Sequence, residues 1–241
     1  MQPEVLVVSS TALTAEILRR TTSIPVVFAL VADPVASGFV ESLARPARNA
    51  TGFLNFEASL AAKWVQLLKE LVPDLAHVAM IFNPNAAALS GAYFYPPFEA
   101  AAESFGIRPS RAPLNSPEEI EVAAATVASM PGGGLVVAPD VFTSANRRPI
   151  IAAAARLRLP AIYPFRYQAA DGGLMSYGID TPDVFRLVGS YVGRILMGAL
   201  PADLPVQAPT NFQLVINLTT ARTLGLKIPP TLLARADEVI E

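Results

Sequence analysis

The chain has no cysteine and a single histidine, His77, in 241 residues. Without cysteine there is no disulfide, no thiolate zinc site and no cysteine nucleophile. One histidine excludes a histidine-rich metal site. The absence of disulfides is compatible with either a cytoplasmic or a periplasmic protein. His77 stands at the head of "VAMIF", where it reads as a surface or capping residue at the start of a strand. Charge is also scarce: 16% of residues are charged and the net charge is −2. No basic run and no interleaving of aromatic with basic residues occurs, so the footprint of a nucleic-acid partner is missing.

Mean hydropathy is +0.42, yet no continuous apolar segment reaches the roughly 20 residues a membrane helix needs. The uncharged run 122–139 is broken by "PGGG" at 131–134. No basic n-region followed by an apolar h-region is visible, so no signal peptide is read in this chain. The G-x-S-x-G elbow, the P-loop and a G-x-G-x-x-G following a strand are all absent. "PGGG" precedes a strand and therefore offers no helix N-terminus to a phosphate. No nucleophile–base pair stands out, so the residues point to no catalysis, no metal and no cofactor.

What is present is apolar and periodic. Hydrophobic residues make up 52% of the chain, enough to bury a sheet between layers of helix. Strand-like segments fall at 4–10, 24–31, 49–56, 77–83, 133–139, 160–165, 172–178 and 212–218. Helix-like segments fall between them, at 11–21, 35–45, 59–72, 92–106, 116–130, 147–159, 181–198 and 219–226. In the 59–72 segment Leu60, Trp64, Leu67, Leu68 and Leu71 recur at helical spacing. Ser116, Pro117 and Glu119 read as a capping box opening the next helix. The tail "PPTLLARADEVIE" closes the chain. Strands separated by helical segments predict βαβ units, parallel sheets and right-handed crossovers: an α/β protein.

The strand ends are polar in a consistent way. "VVFALVADPVASGF" (26–39) shows it best: a β-branched apolar run meets Asp33-Pro34 within two residues. The first strand ends in Ser9, Ser10 and Thr11. Others end in Asn83 and Asn85; in Asp140, Phe142, Thr143 and Asn146; in "YPFRYQ" with Tyr163, Phe165 and Tyr167; and in Tyr177 and Asp180. Open α/β sheets bind ligands outside the carboxyl ends of their strands. Hydroxyls and backbone N–H groups at a helix start suit a carboxylate. Asp33 or Asp180 suits an ammonium, and the aromatic residues suit the walls of a small-molecule site. Taken singly, each of these residues is equally an ordinary turn former or helix cap.

Three stretches together carry a family resemblance: "IPVVFALVADPVASGFVESLARPARNATGF", "LAAKWVQLLKELVPDLAHVAMIFNPN" and "NFQLVINLTTARTLGLKIPPTLLARADEVIE". The chain resembles the ABC-transporter substrate-binding proteins of the TrpX-like "ABC sub bind" group over nearly its whole length, least distinctly from about 85 to 145. That resemblance implies the type I periplasmic-binding-protein fold, with two Rossmann-like lobes and a ligand cleft that closes by hinge motion. Lobe one would take 1–55 and 179–204, and lobe two 56–178 and 205–241. Ser9, Ser10, Thr11 and Asp33 would be lobe-one contacts, faced from lobe two by Asn83, Asp140 and the Tyr177–Asp180 segment. The implied function is an extracytoplasmic receptor that passes an amino acid, especially an aromatic one, or an aromatic carboxylate to ABC permease subunits. A ligand-sensing regulatory domain on the same fold and an α/β enzyme acting on a sugar or nucleotide are the alternatives. Family members carry a signal sequence and a strand–helix–strand–helix unit ahead of the "VLVV" strand, whereas this chain starts at that strand. Lobe one is therefore expected to be incomplete, with an exposed sheet edge open to self-association or another covering partner.

Overall fold

The computed structural model describes residues 3–241. In chain order the strands and helices are β1 (Leu6–Ser9), α1 (Thr11–Arg20), β2 (Val26–Val31), β3 (Ala50–Leu54), α2 (Leu60–Leu71), β4 (His77–Phe82), α3 (Tyr95–Ser104), β5 (Arg108–Pro113), α4 (Glu119–Ala128), β6 (Gly133–Val137), α5 (Val141–Ala145), α6 (Arg147–Arg156), β7 (Ala161–Tyr163), α7 (Arg166–Ala170), β8 (Met175–Ile179), α8 (Thr181–Leu196), β9 (Phe212–Asn217), α9 (Leu218–Leu224), α10 (Pro230–Leu233) and β10 (Glu238–Ile240). They form two compact units. The first takes the chain through Glu57 together with Ile179–Asn211, and the second takes Ala58–Gly178 with Phe212–Glu241.

The first unit is built on a three-stranded sheet, β1-β2-β3. Both pairings are parallel, with Val8 level with Phe28 and Val26 level with Ala50. Ala15, Ile17 and Leu18 of α1 pack on a core of Val8, Val26, Phe28, Val31, Phe39, Val40, Ala50 and Leu54. α8 lies against β2 and β3, presenting Val184, Val188, Tyr191 and Ile195. With a helix over each face, both sides of β2 are dry, which explains its unbroken apolar run. The outer edge of β3 is covered by the 205–211 segment: Leu54 N donates to Gln207 O, and Gln207 N to Gly52 O. Val206 is buried in the same core, so this segment belongs to the first unit. Among the described residues β1 pairs only with β2, and it carries Val7, which is 52% exposed.

The helix expected over 35–45 does not form. Asp33 O accepts from Ser37 N and Pro34 O from Phe39 N, and Gly38 turns at φ 71. A second turn follows, with Ser42 Oγ accepting from Arg45 N. Gly38 interrupts the stretch and Pro46 follows its end, leaving too few residues between them to nucleate a helix.

The second unit holds a seven-stranded sheet in the order β10-β9-β8-β7-β6-β4-β5. The ladders from β5 through β4, β6 and β7 to β8 are parallel, as is β9 with β10. One face packs on α4 and α6 through Ala79, Ile81, Leu135, Val137, Ala161 and Tyr163. Alternation turns Val78, Met80, Val136 and Ile162 to the other face, on the side of α2, whose Trp64, Val65, Leu67, Leu68 and Leu71 are buried. Two strands carry no periodic sequence signature, β5 and β10. β5 reads "RPSRAP" and sits at the sheet edge, where arginine and proline discourage further pairing. It covers the start of β4, so His77 is buried, at 5% exposure, with Nε2 3.2 Å from Ser110 Oγ. The surface role expected for His77 is thus corrected.

Helix starts also differ in detail. α4 begins at Glu119, and Ser116 makes no cap to it. The Glu119 carboxylate reaches back to Asn115 N at 2.7 Å instead. α8 is capped by Asp180, whose carboxylate accepts from Asp183 N, and α9 by Asn217, which accepts from Thr220 N.

Candidate functional site

In the first unit, the structure brings the sequence candidates together at the carboxyl edge of the sheet. Ser9 ends β1 level with Ala29. Ser10 N donates to Ala29 O, and Thr11 Oγ1 accepts from Ala32 N at 3.0 Å. The loop opening α1 is therefore fastened to the end of β2 at two points. Asp33 is the next residue along. Ser10 adopts φ 87, ψ 152, a region essentially confined to glycine that costs another residue about 1–3 kcal/mol. Its carbonyl accepts from both Thr14 N and Thr14 Oγ1, while its hydroxyl accepts from Leu13 N at 3.4 Å. α1 runs for ten residues, so its first N–H groups and the positive end of its dipole face this edge. Asp33 also has a positive φ, 42°, and its Oδ1 accepts from Ala36 N at 2.9 Å. The edge thus combines a helix N-terminus and hydroxyls with a carboxylate one residue beyond Ala32. Such a pair complements a zwitterion: the helix start suits a carboxylate, and Asp33 an ammonium.

In the second unit the candidates separate into different roles. Asn83, Asp140 and Thr143 form one buried network. Asp140 accepts from Asn83 N at 3.0 Å and from Thr143 N at 2.7 Å. Asn83 Nδ2 donates to Leu114 O and Asn83 Oδ1 accepts from Asn85 N. Thr143 Oγ1 donates to Ala138 O at 2.7 Å. Burial pushes the Asp140 carboxyl above its usual range, opposed by the backbone donors of Thr143 and Asn83. The network ties the ends of β4 and β6 to the residue following β5, and its polar atoms point inward to one another.

Tyr163 lies in the core at 1% exposure, and its ring packs so closely on Gly173 that a Cβ there would overlap it. Burial pushes its phenol well up. Phe142 is half-buried against the α4–α6 cluster. Tyr177 is half-buried and stacks on Phe212, with centroids 6.0 Å apart, and its carbonyl accepts from Trp64 Nε1 at 2.7 Å. Phe165 stacks on Tyr167 at 5.3 Å, and the Arg147 guanidinium lies over the Tyr167 ring while pairing with Asp171. Asp180, read from the resemblance as a lobe-two residue, lies in the first unit as the cap of α8.

One polar residue at the same first-unit edge escaped the sequence reading. Asn55 directly follows β3 and donates its N–H to Val31 O at 2.9 Å. The segment 49–56 reads as one apolar strand, which hides the asparagine. The available clue was the same polar strand end seen in the other strands. Among the described residues, no group of three or more His, Cys, Asp or Glu side chains is arranged to hold a metal, and no helix is long and apolar enough to cross a membrane.

The parallel α/β architecture is that of the type I periplasmic binding proteins. The family model of ABC transporter substrate binding proteins matches residues 1–240, and the chain belongs to that family. A conserved domain protein from Vibrio cholerae is 27% identical with a TM-score of 0.90, over 99% of this chain and 79% of its own. The ABC domain solved with L-Trp from Streptococcus pneumonia is 25% identical with a TM-score of 0.89, over 98% of this chain and 79% of its own. The tyrosine-binding protein of Clostridioides difficile is 22% identical over 215 residues, which is 86% of this chain. The chain spans 59% of that relative's length.

Proposed function

We propose that the protein is the extracytoplasmic receptor of an ABC importer and that it binds an amino acid with an aromatic side chain. The observation that carries the reading is the first-unit edge, where the start of α1 and Asp33 offer opposite charges to a zwitterion. Relatives that bind L-Trp or carry the name tyrosine-binding protein support the aromatic class. In this reading the two compact units act as the two lobes. Ser9, Ser10, Thr11 and Asp33 of the first unit hold the ligand's charged groups. Asn83, Asp140 and Thr143 serve the second unit as scaffold, holding the ends of β4 and β6 in place. No chemistry is performed. Binding favours one conformation, which the permease subunits then recognise. The free edge of β1 supports self-association through a second copy.

The test is thermal-shift screening and calorimetry with L-tyrosine, L-tryptophan and L-phenylalanine beside their deaminated acids. At 100 times its dissociation constant, a ligand adds about 2.7 kcal/mol of stability. The zwitterions are expected to stabilise the protein and the deaminated acids to do so far less. Equal binding of both groups would remove Asp33 from the account. No shift with any of them would end the aromatic amino-acid reading.

A further inference from the structure

The parallel strands β2 and β3 are joined by the 32–49 segment, which crosses over in turns where a helix usually makes the connection. A groove of about 640 Å³ stays open between α1 and the first of these turns. It lies wholly within the first unit. Ala15 and Leu18 of α1 and the buried Phe39 give it an apolar lining. Arg19 and Thr22 line it from α1 and its exit, and Arg48 from the residues entering β3. Both guanidinium groups keep donors for an incoming partner. Arg48 Nη1 donates to Gly38 O at 3.3 Å, and the group forms no ion pair among the described residues. Arg19 shares the Glu16 carboxylate with Arg20, and the Arg19 side chain is 73% exposed. An exposed pair of this kind contributes little to stability, so another carboxylate can displace it. With two arginines on one carboxylate and Arg48 unpaired, the groove is positive in a chain of net charge −2.

We propose that this groove docks an acidic segment of the permease subunits, with carboxylates on Arg19 and Arg48 and an apolar side chain over Phe39. The choice of the permease as partner rests on the importer reading above. The chemistry of the occupant rests on the charge and the lining of the groove. Charge complementarity of this kind speeds encounter and fixes register more than it adds affinity, which suits a transient contact. The groove is separate from the amino-acid edge. Ser10 caps the start of α1 and Arg19 lies in its last turn, about 13 Å further along the helix axis.

The experiment follows a short fluorescein-labelled peptide of alternating glutamate and leucine by anisotropy, beside its glutamine–leucine analogue. The groove variants are Arg19→Gln/Arg48→Gln and Thr22→Glu. The control, Arg148→Gln/Arg222→Gln, removes the same charge at exposed sites of the second unit. Wild type is expected to bind the glutamate peptide saturably, at least about tenfold more tightly than the analogue, and less tightly as salt is raised. The groove variants are expected to lose about tenfold or more and the control to stay within about twofold, all with thermal midpoints near wild type. An equal loss in the control would reduce the effect to general charge and overturn the proposal. Retained peptide binding in both groove variants would overturn it too. So would a wild type that does not bind the glutamate peptide; self-association lost in Arg19→Gln/Arg48→Gln would then give the groove to a second copy. Failure of the amino acids to bind would leave these peptide measurements standing, so the amino-acid reading and the docking proposal fail separately.

Discussion

At the scale of single residues, the contrast between Asp33 and Asp140 is instructive. Both follow an apolar strand and both cap a turn, so their sequence contexts are alike. Asp140 is buried and spends both oxygens on backbone donors. Asp33 spends Oδ1 on Ala36 and stays partly exposed. Asp33→Ala removes the turn bond and should cost about 1 kcal/mol of stability, whereas Asp33→Asn keeps an acceptor for Ala36 N and removes only the charge. The two roles therefore separate: Asp33→Asn is expected to leave the thermal midpoint near wild type while weakening amino-acid binding about tenfold or more, read by calorimetry. Unchanged affinity in Asp33→Asn would leave Asp33 a turn former. His77 allows a cleaner titration because it is the sole histidine. Burial, helped by the nearby Arg108, holds its pKa below the ordinary 6.5. Between the lowered folded value and 6.5, the unfolded chain binds more protons than the folded one, so stability rises with pH across that window and is lost as pH falls through it. Urea midpoints between about pH 7.5 and 5.5 should therefore drop for wild type and drop less for His77→Asn, which carries no titrating ring.

At the scale of elements, apolar periodicity identified what was buried on both faces. β2, β4 and α2 appear where the pattern puts them. It was blind where pairing alone makes the element. β5 has an arginine at each of two positions and two prolines in six residues; it is a strand because β4 offers it a ladder on one side. The missing helix at 35–45 failed for a local reason, since Gly38 and Pro46 leave no room for a nucleus. Gly52 shows how tightly the first sheet is built. A Cβ there would lie inside the contact distance of the Phe28 carbonyl oxygen on the neighbouring strand. Backbone atoms cannot yield as a flexible side chain can, so Gly52→Ala should destabilise the first unit by about 3 kcal/mol. Limited proteolysis is expected to cut that variant first within the β1–β3 region, with the β4–β7 sheet still protected.

At the scale of the whole molecule, the two sheets differ in how their edges are closed. β5 is blunted by arginine and proline, and β3 is covered by the 205–211 segment. Among the described residues β1 has neither device, and it exposes Val7. Sedimentation velocity should show concentration-dependent association of the chain, and Val7→Lys on that edge should reduce it while leaving the midpoint within about 0.5 kcal/mol of wild type, as surface substitutions usually do. No change in association on Val7→Lys would remove this edge as the contact. The sequence by itself determined the α/β class, the succession of most strands and helices and the family, because these follow from short-range periodicity, helix caps and long motifs carried in the chain. Only the tertiary structure decided which polar strand ends are scaffold and which are open. Asn83 and Asp140 are 57 residues apart, and Asn55 meets Val31 across a crossover. Whether a polar atom finds a partner or stays unsatisfied depends on which distant strand the sheet sets beside it, and no local pattern records that neighbour.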